Sequence, residues 1–230
     1  MSKTVQRPRC PNCHRALSTC ICALAHPVEH QVEVLILMHP MEVHEAKGTG
    51  HLLHLCLPHS RVLVGEQFDT QALQQALQGS WDGQAPRQSL LLYPDTHEQD
   101  ATLGLAQASA LPQSWPLPPE QLRLVLIDGT WRKSRKMLYL NPALQTLPRV
   151  ALQDVGDSGY AIRKAHLPGQ LSSFEAAVLG LAQLQNWPLD AAAPAALNQV
   201  FAQFVARQIL LQNVNQVPVR APDEVGKAQE

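Results

Sequence analysis

The sequence predicts an α/β protein: a parallel sheet flanked by helices, doubly wound, with a small cysteine-rich segment ahead of it. Three observations carry this. Short apolar runs alternate with helical stretches from Val28 onward. Those runs are apolar on both faces, as strands covered by helices on each side must be. One of them, Leu122 to Ile127, breaks at Asp128-Gly129-Thr130-Trp131 straight into a basic helix. That is how open α/β sheets present ligand sites at their carboxyl edge.

The elements follow in order. The first 27 residues are poor in large apolar side chains and rich in Cys, Pro and Arg, so they need a metal to fold. Strands are expected over Val32–Met38, Arg61–Gly65, Ser89–Tyr93, Leu122–Ile127 and Arg149–Leu152. Between them, Thr49–Leu57 opens on a capping threonine and stops at Pro58, and Thr70–Gln78 stops at Gly79. A weaker helix is expected over 97–109, and Trp131–Leu140 runs to Asn141-Pro142. Gln113 to Pro119 is a proline-rich surface connector. Ser172–Asn186 begins with a capping box, Ser172 followed by Glu175. Leu197–Leu211 places Phe201, Phe204, Val205 and Ile209 at helical spacing, a core-packing pattern. The expected organisation is residues 1–27 as a metal-binding segment, 28–215 as the α/β domain and 216–230 as a polar tail.

At 230 residues, 45% hydrophobic and 16% charged, the chain can bury one sizeable core. A formal net charge of −1 excludes a globally cationic surface, so nucleic-acid binding must come from local clusters. No apolar run reaches membrane-spanning length and no signal-peptide core opens the chain, so a cytoplasmic location without membrane partners is expected.

Cys10-x2-Cys13-x6-Cys20-x-Cys22 places four thiols within thirteen residues. In a reducing compartment such a cluster reads as a metal site, and zinc favours tetrahedral sulfur. The Cys-x-Cys pair is tight, which leaves His14 or His26 as substitutes for one thiolate. A fully protein-ligated ion has no open position and would be structural. The alternative is four ordinary cysteines.

Asp128 ends a buried strand, Gly129 lets a ligand approach the backbone, Thr130 can cap the next helix and Trp131 can stack on a planar base. Equally, Thr130 and Asp128 can be caps and Trp131 core. Arg132, Lys133, Arg135 and Lys136 put four cations in five residues, which favours RNA phosphate over a merely solvated face. His39, His44, His51, His54 and His59 form no complete ligand set and read as polar surface or RNA-facing groups. Cys56 reads as a small buried apolar group.

Asp128-x-Thr130-Trp131 followed by Arg-Lys-x-x-Arg-Lys resembles the DTW-domain family of tRNA-uridine aminocarboxypropyltransferases, of the TDD superfamily. The cysteine cluster, His39-Pro40, Thr49-Gly50, Tyr93-Pro94, Tyr160-x-x-Arg163-Lys164 and Leu171-Ser172-Ser173-x-Glu175 extend the resemblance in order over about residues 7–180. Ala46-Lys47-Gly48 departs from it, since relatives often carry an asparagine there. The resemblance implies a fold related to the SPOUT methyltransferases, with a backbone knot. It also implies S-adenosylmethionine as cofactor, tRNA as partner, 3-(3-amino-3-carboxypropyl)uridine as product and methylthioadenosine as by-product.

Residue by residue, the resemblance implies Asp128 as the general base for uridine N3, a role a buried, raised-pKa carboxylate would fill well. Steering a sulfonium or holding a ribose hydroxyl are open alternatives for Asp128. Cofactor contacts are implied for Tyr93, Pro94, Gly129, Thr130, Trp131, Leu167, Ser172 and Glu175, although the capping box already explains Glu175. Zinc is implied at Cys10, Cys13, Cys20 and Cys22. Phosphate contacts are implied for Arg132, Lys133, Arg135, Lys136, Arg163 and Lys164, with Arg7, Arg9 and Arg15 adding to that surface. The rival readings are a SPOUT-like RNA methyltransferase and a non-catalytic zinc-containing RNA-binding protein.

Overall fold

A computed structural model of the chain describes residues 8–93, 116–150, 152, 158–160 and 171–216. The strands are β1 (Glu33–Met38), β2 (Ser60–Val64), β3 (Gln88–Leu92), β4 (Leu122–Asp128) and β5 (Arg149–Val150). They form one parallel sheet in the order β2-β1-β4-β3-β5. The helices are α1 (Gly50–Cys56), α2 (Thr70–Gln78), α3 (Trp131–Leu140), α4 (Pro142–Gln145), α5 (Ser173–Leu184) and α6 (Ala192–Gln216).

The sheet is covered on both faces, as its apolar strands require. Val34, Ile36, Leu124 and Leu126 pack with α1, α5 and α6 through Leu52, Leu53, Phe174, Leu181, Phe201 and Phe204. Leu35, Leu37, Val125 and Leu91 face α2, α3 and α4 through Leu73, Leu77, Met137, Leu138 and Leu144. Cys10, Cys13 and Ile21 join the first of these cores, so the cysteine segment packs onto the α1–α5–α6 side.

Local chemistry sets the boundaries. Asp69 caps α2 by accepting from Ala72 N at 2.9 Å, and Gly79 ends it. Ser172 and Glu175 form the expected capping box on α5. Thr49 occupies the cap of α1 but its side chain makes no capping hydrogen bond. Helix α6 begins at Ala192, five residues ahead of the apolar pattern that starts at Leu197. Pro194 sits in its first turn, where a missing N–H costs no helical bond. The expected helix over 97–109, the tail beyond residue 216 and the segment on which a knot would be judged lie outside the described residues.

The amino edge of the sheet is locked by Arg123 of β4, which is wholly buried and paired in register with Glu33 of β1. It donates to Glu33 Oε2 through Nε and Nη2 at 2.8 and 2.6 Å, and to the carbonyls of Ala76, Leu77 and Gly79 at the end of α2. Its guanidinium also lies 4.1 Å from the Trp81 ring centroid. A buried cation survives only when its donors are used, and these are.

Candidate active site and metal centre

The chain leaves β1 through α1 towards β2, and leaves β4 through α3 and α4 towards β5, on opposite sides. The carboxyl ends of β1 and β4 are therefore a topological switch point, where open α/β sheets form a crevice. Met38 and Asp128 are register partners at that edge, and His39 N donates to Asp128 O at 3.0 Å. Leu92 of β3 pairs with Leu126, so Asp128 extends two residues beyond that neighbour.

Asp128 is 5% exposed, and its Oδ1 accepts a 2.6 Å hydrogen bond from Ser173 Oγ at the start of α5. The backbone of Gly50, first residue of α1, lies against the same carboxylate. A Cβ on Gly50 would stand 2.9 Å from Asp128 Cγ and 2.8 Å from Met38 Cε, closer than real Cβ contacts. Glycine is what permits this approach. Beyond Asp128, Thr130 caps α3 by accepting from Lys133 N at 3.4 Å. Trp131 is 45% exposed, and its ring meets the buried Tyr93 edge-on at 6.2 Å between centroids. The site thus combines a held carboxylate, a helix N-terminus and an exposed aromatic rim.

The amino end of α5 closes the other side. Glu175 accepts from Ser172 N at 2.8 Å, from Ser158 Oγ at 2.9 Å and from Gly159 N at 2.8 Å. Its carboxylate therefore stitches the 158–160 segment to α5, and Ser172 Oγ returns the cap to Glu175 N.

The basic helix is not uniform. Lys133 pairs with Glu42 at 2.7 Å and Lys136 with Glu66 at 2.8 Å; Arg132, Arg135 and Lys136 are exposed and Lys133 is half-buried. Glu66 also accepts from His39 Nε2 at 3.1 Å, and Lys136 and then His39 hold its carboxyl below the usual range. His39 and His51 are buried, and burial pushes His51 down to about 4. The expectation of surface histidines fails for both: His39 bonds Glu66 and Met41 N through its two ring nitrogens, and His51 Nε2 bonds Val43 O at 3.1 Å. Arg15, expected on the RNA surface, is 4% exposed and faces inward. Cys56 is buried as expected, and burial raises its thiol to about 11.

All four sulfurs of Cys10, Cys13, Cys20 and Cys22 lie within 4.8 Å of one another. Cys10 and Cys22 Sγ are 3.6 Å apart, and Cys13 and Cys20 Sγ 3.8 Å. Four thiolates bound tetrahedrally through bonds of about 2.3 Å stand about 3.8 Å apart, so the cluster can hold a metal ion. The left-handed backbone of His14, with φ 56°, turns the chain so that Cys10 N reaches Arg15 O at 2.8 Å. Backbone N–H groups of Cys13 and Asn12 hold the Cys10 thiol down to about 6, which favours the thiolate a metal needs. Desolvation pushes the Cys22 thiol the other way.

The structure therefore brings Tyr93, Asp128, Gly129, Thr130, Trp131, Ser172 and Glu175 to one edge of the sheet. Pro94, Arg163, Lys164 and Leu167 lie outside the described residues. Ser173 and Gly50 are additions to the site that sequence reasoning did not assign a role. Both adjoin noticed features, the Ser172 cap and the Thr49-Gly50 pair, but only the fold sets them beside Asp128.

The DTW-domain family model matches residues 7–209. A Drosophila melanogaster protein named tRNA-uridine aminocarboxypropyltransferase 2 is 35% identical over 187 residues, 80% of this chain and 69% of that protein. Proteins of the same name from Macaca fascicularis and Mus musculus are each 26% identical, over 79% of this chain. The chain spans 58% of the length of each of these two mammalian relatives. No solved structure gives a significant match.

Proposed function

We propose, from the premise that this chain belongs to the DTW-domain family, that it is a tRNA-uridine aminocarboxypropyltransferase. The substrate is a uridine in tRNA and the product 3-(3-amino-3-carboxypropyl)uridine. The observation that carries this reading is the placement of Asp128. It stands at the switch point, held by Ser173 and faced by Gly50, beside an α3 N-terminus rimmed by Trp131.

S-adenosylmethionine, when bound, supplies a sulfonium whose amino-acid arm is the electrophile and whose loss leaves methylthioadenosine. The donor set suits it: a carboxylate for a cation, and the aromatic pair Tyr93 and Trp131 for a planar base. In this reading Tyr93, Gly129, Thr130 and Trp131 hold the cofactor, with Pro94 and Leu167 completing the pocket. Ser172 and Glu175 hold the wall formed by residues 158–160.

Uridine N3–H is a weak acid, so the chain must remove its proton as the new N–C bond forms. Asp128 takes that proton and passes it to solvent after the product leaves. A placed base of this kind contributes roughly 10²–10⁴ in rate. Ser173 keeps the Asp128 carboxylate in one rotamer for that transfer. Arg132 and Arg135, with Arg163 and Lys164, meet tRNA phosphates, and Lys133 and Lys136 join them by exchanging their carboxylate partners.

The ion of the cysteine cluster is zinc, bound by Cys10, Cys13, Cys20 and Cys22 with no open position and hence structural. A reducing, cytoplasmic compartment keeps those thiols available.

Nucleoside mass spectrometry of unmodified tRNA incubated with the protein and S-adenosylmethionine tests the reading. A uridine heavier by an aminocarboxypropyl group, with methylthioadenosine released, is the expected result. A methyl gain with S-adenosylhomocysteine would move the protein to the methyltransferases. Bound tRNA with no modification and no cofactor affinity would leave an RNA binder.

A further inference from the structure

Between β1 and α1 the chain passes through Ala46, Lys47 and Gly48, two residues short of Gly50. Three consecutive carbonyls are exposed to side chains there, and all three are taken. The Arg15 guanidinium donates through one terminal nitrogen to Ala46 O and through the other to Gly48 O at 2.7 Å. The Tyr160 hydroxyl donates to Lys47 O between them.

The two clamps come from different places. Arg15 follows Cys13 by two residues, within the turn closed by the Arg9–Ala16 bridge, and its guanidinium lies 5.1 Å from the Phe204 ring centroid of α6. Tyr160 is carried by the 158–160 segment that Glu175 fixes, and its own N donates to Ser158 Oγ at 3.1 Å. Helix α5, which carries Glu175, also carries Ser173, the partner of Asp128. The 46–48 loop is thus gripped from the cysteine segment on one side and from α5 on the other. It delivers Gly50 to the carboxylate between them.

We propose that Arg15 is a positioning residue that couples the folded cysteine segment to the placement of Gly50 against Asp128. A buried guanidinium carries a desolvation cost that only used donors offset, and two backbone carbonyls and a ring face use these. A lysine at this position lacks the planar fork that sets one terminal nitrogen on each of two carbonyls. The catalytic consequence rests on the activity proposed above; the ordering of the loop does not.

The experiment compares the metal-loaded wild-type protein with Arg15→Lys and Tyr160→Phe. It reads metal content, the absorption of the cobalt-substituted cluster, backbone amide exchange over residues 46–53, tRNA affinity, and kcat and KM separately. Arg15→Lys is expected to keep one ion per chain, the tetrathiolate spectrum and tRNA affinity. Exchange over 46–53 should rise about tenfold, and kcat should fall by up to roughly a hundredfold, as small displacements of a reacting group allow. Tyr160→Phe should loosen the same segment without touching the cluster. Removing the metal from the wild type should raise exchange over 46–53 as Arg15→Lys does. Unchanged protection of that segment in Arg15→Lys overturns the proposal. So does a rise on metal removal that is confined to residues 8–27 or spread evenly over the sheet. A wild type that makes no aminocarboxypropyluridine removes the activity reading, while the exchange data still decide the role of Arg15.

Discussion

Ser173 Oγ and Asp128 Oδ1 are 2.6 Å apart although 45 residues separate them in sequence. The serine is the first residue of α5, and the aspartate is the last of β4. This hydrogen bond joins the helix that carries the capping box to the Asp128 carboxylate at the switch point between β1 and β4. Everything proposed for catalysis depends on that carboxylate keeping one orientation.

Asp128→Asn is therefore expected to lose roughly 10²–10⁴ in kcat while tRNA affinity is retained, since the amide keeps the shape but not the basicity. Ser173→Ala should be milder, about tenfold, because it removes the orienting bond and leaves the base in place. Single-turnover rates and tRNA binding measured on both variants check this pair. Near-normal turnover of Asp128→Asn would exclude it as the base.

Gly50→Ala tests the packing on the other side of the carboxylate. The added methyl would meet the Asp128 and Met38 side chains inside normal contact distance at a buried edge, so one or both must shift. Overpacking of this kind costs about 1–3 kcal/mol. The expected outcome is a folded protein, by circular dichroism, with a lower melting temperature and a kcat reduced by about a hundredfold. Retention of full activity would show that Asp128 tolerates displacement.

Much of this arrangement is legible in the sequence, and the limits have a physical cause. Thr70–Gln78 and Trp131–Leu140 have the expected bounds because their signals are local: a capping Asp69 or Thr130, and a stop at Gly79 or Asn141. Asp128 falls at the carboxyl edge because the apolar strand before it leaves no other place. The inward turn of Arg15 is not legible, because its partners are backbone carbonyls 31 and 33 residues away, and carbonyls have no side-chain signature. Ser173 is hidden for another reason: its partner is the Asp128 carboxylate 45 residues away, and only the fold brings the two together. Nor does a run of cations show which of them meet carboxylates; Glu42 and Glu66 reach Lys133 and Lys136 from other loops.

Acid stability should depend on His30. Its Nδ1 donates to Val32 O at 2.7 Å and its Nε2 accepts from His59 N at 3.2 Å, so the folded ring is neutral and protonation would break the second bond. Burial pushes its pKa from 6.5 down to about 4. The unfolded chain therefore takes up a proton near pH 6.5 that the folded one refuses until about pH 4. The contribution is present above 6.5 and is lost progressively as pH falls through that window. His51, also held near 4, acts in the same direction. Urea unfolding of wild type should show stability falling between pH 6.5 and 4, and His30→Gln should flatten the slope. An unchanged slope would show that His30 is not the group responsible.

The cations of α3 are expected to meet tRNA unequally. Arg132 is exposed, whereas Lys133 has a carboxylate partner in Glu42 and must give it up to meet a phosphate. The Lys133–Glu42 pair is half-buried rather than exposed, so giving it up reduces the net gain from a phosphate contact. Arg132→Glu should thus weaken tRNA binding more than Lys133→Gln does. Because each phosphate contact releases counterions, its loss should also flatten the dependence of log K on log salt by about 0.7–0.9 for Arg132→Glu and by less for Lys133→Gln. Filter-binding titrations from low to high salt read both quantities. Equal losses from the two substitutions would place Lys133 on the RNA as firmly as Arg132, with Glu42 released on binding. A salt slope unaltered by Arg132→Glu would remove α3 from the phosphate-binding surface.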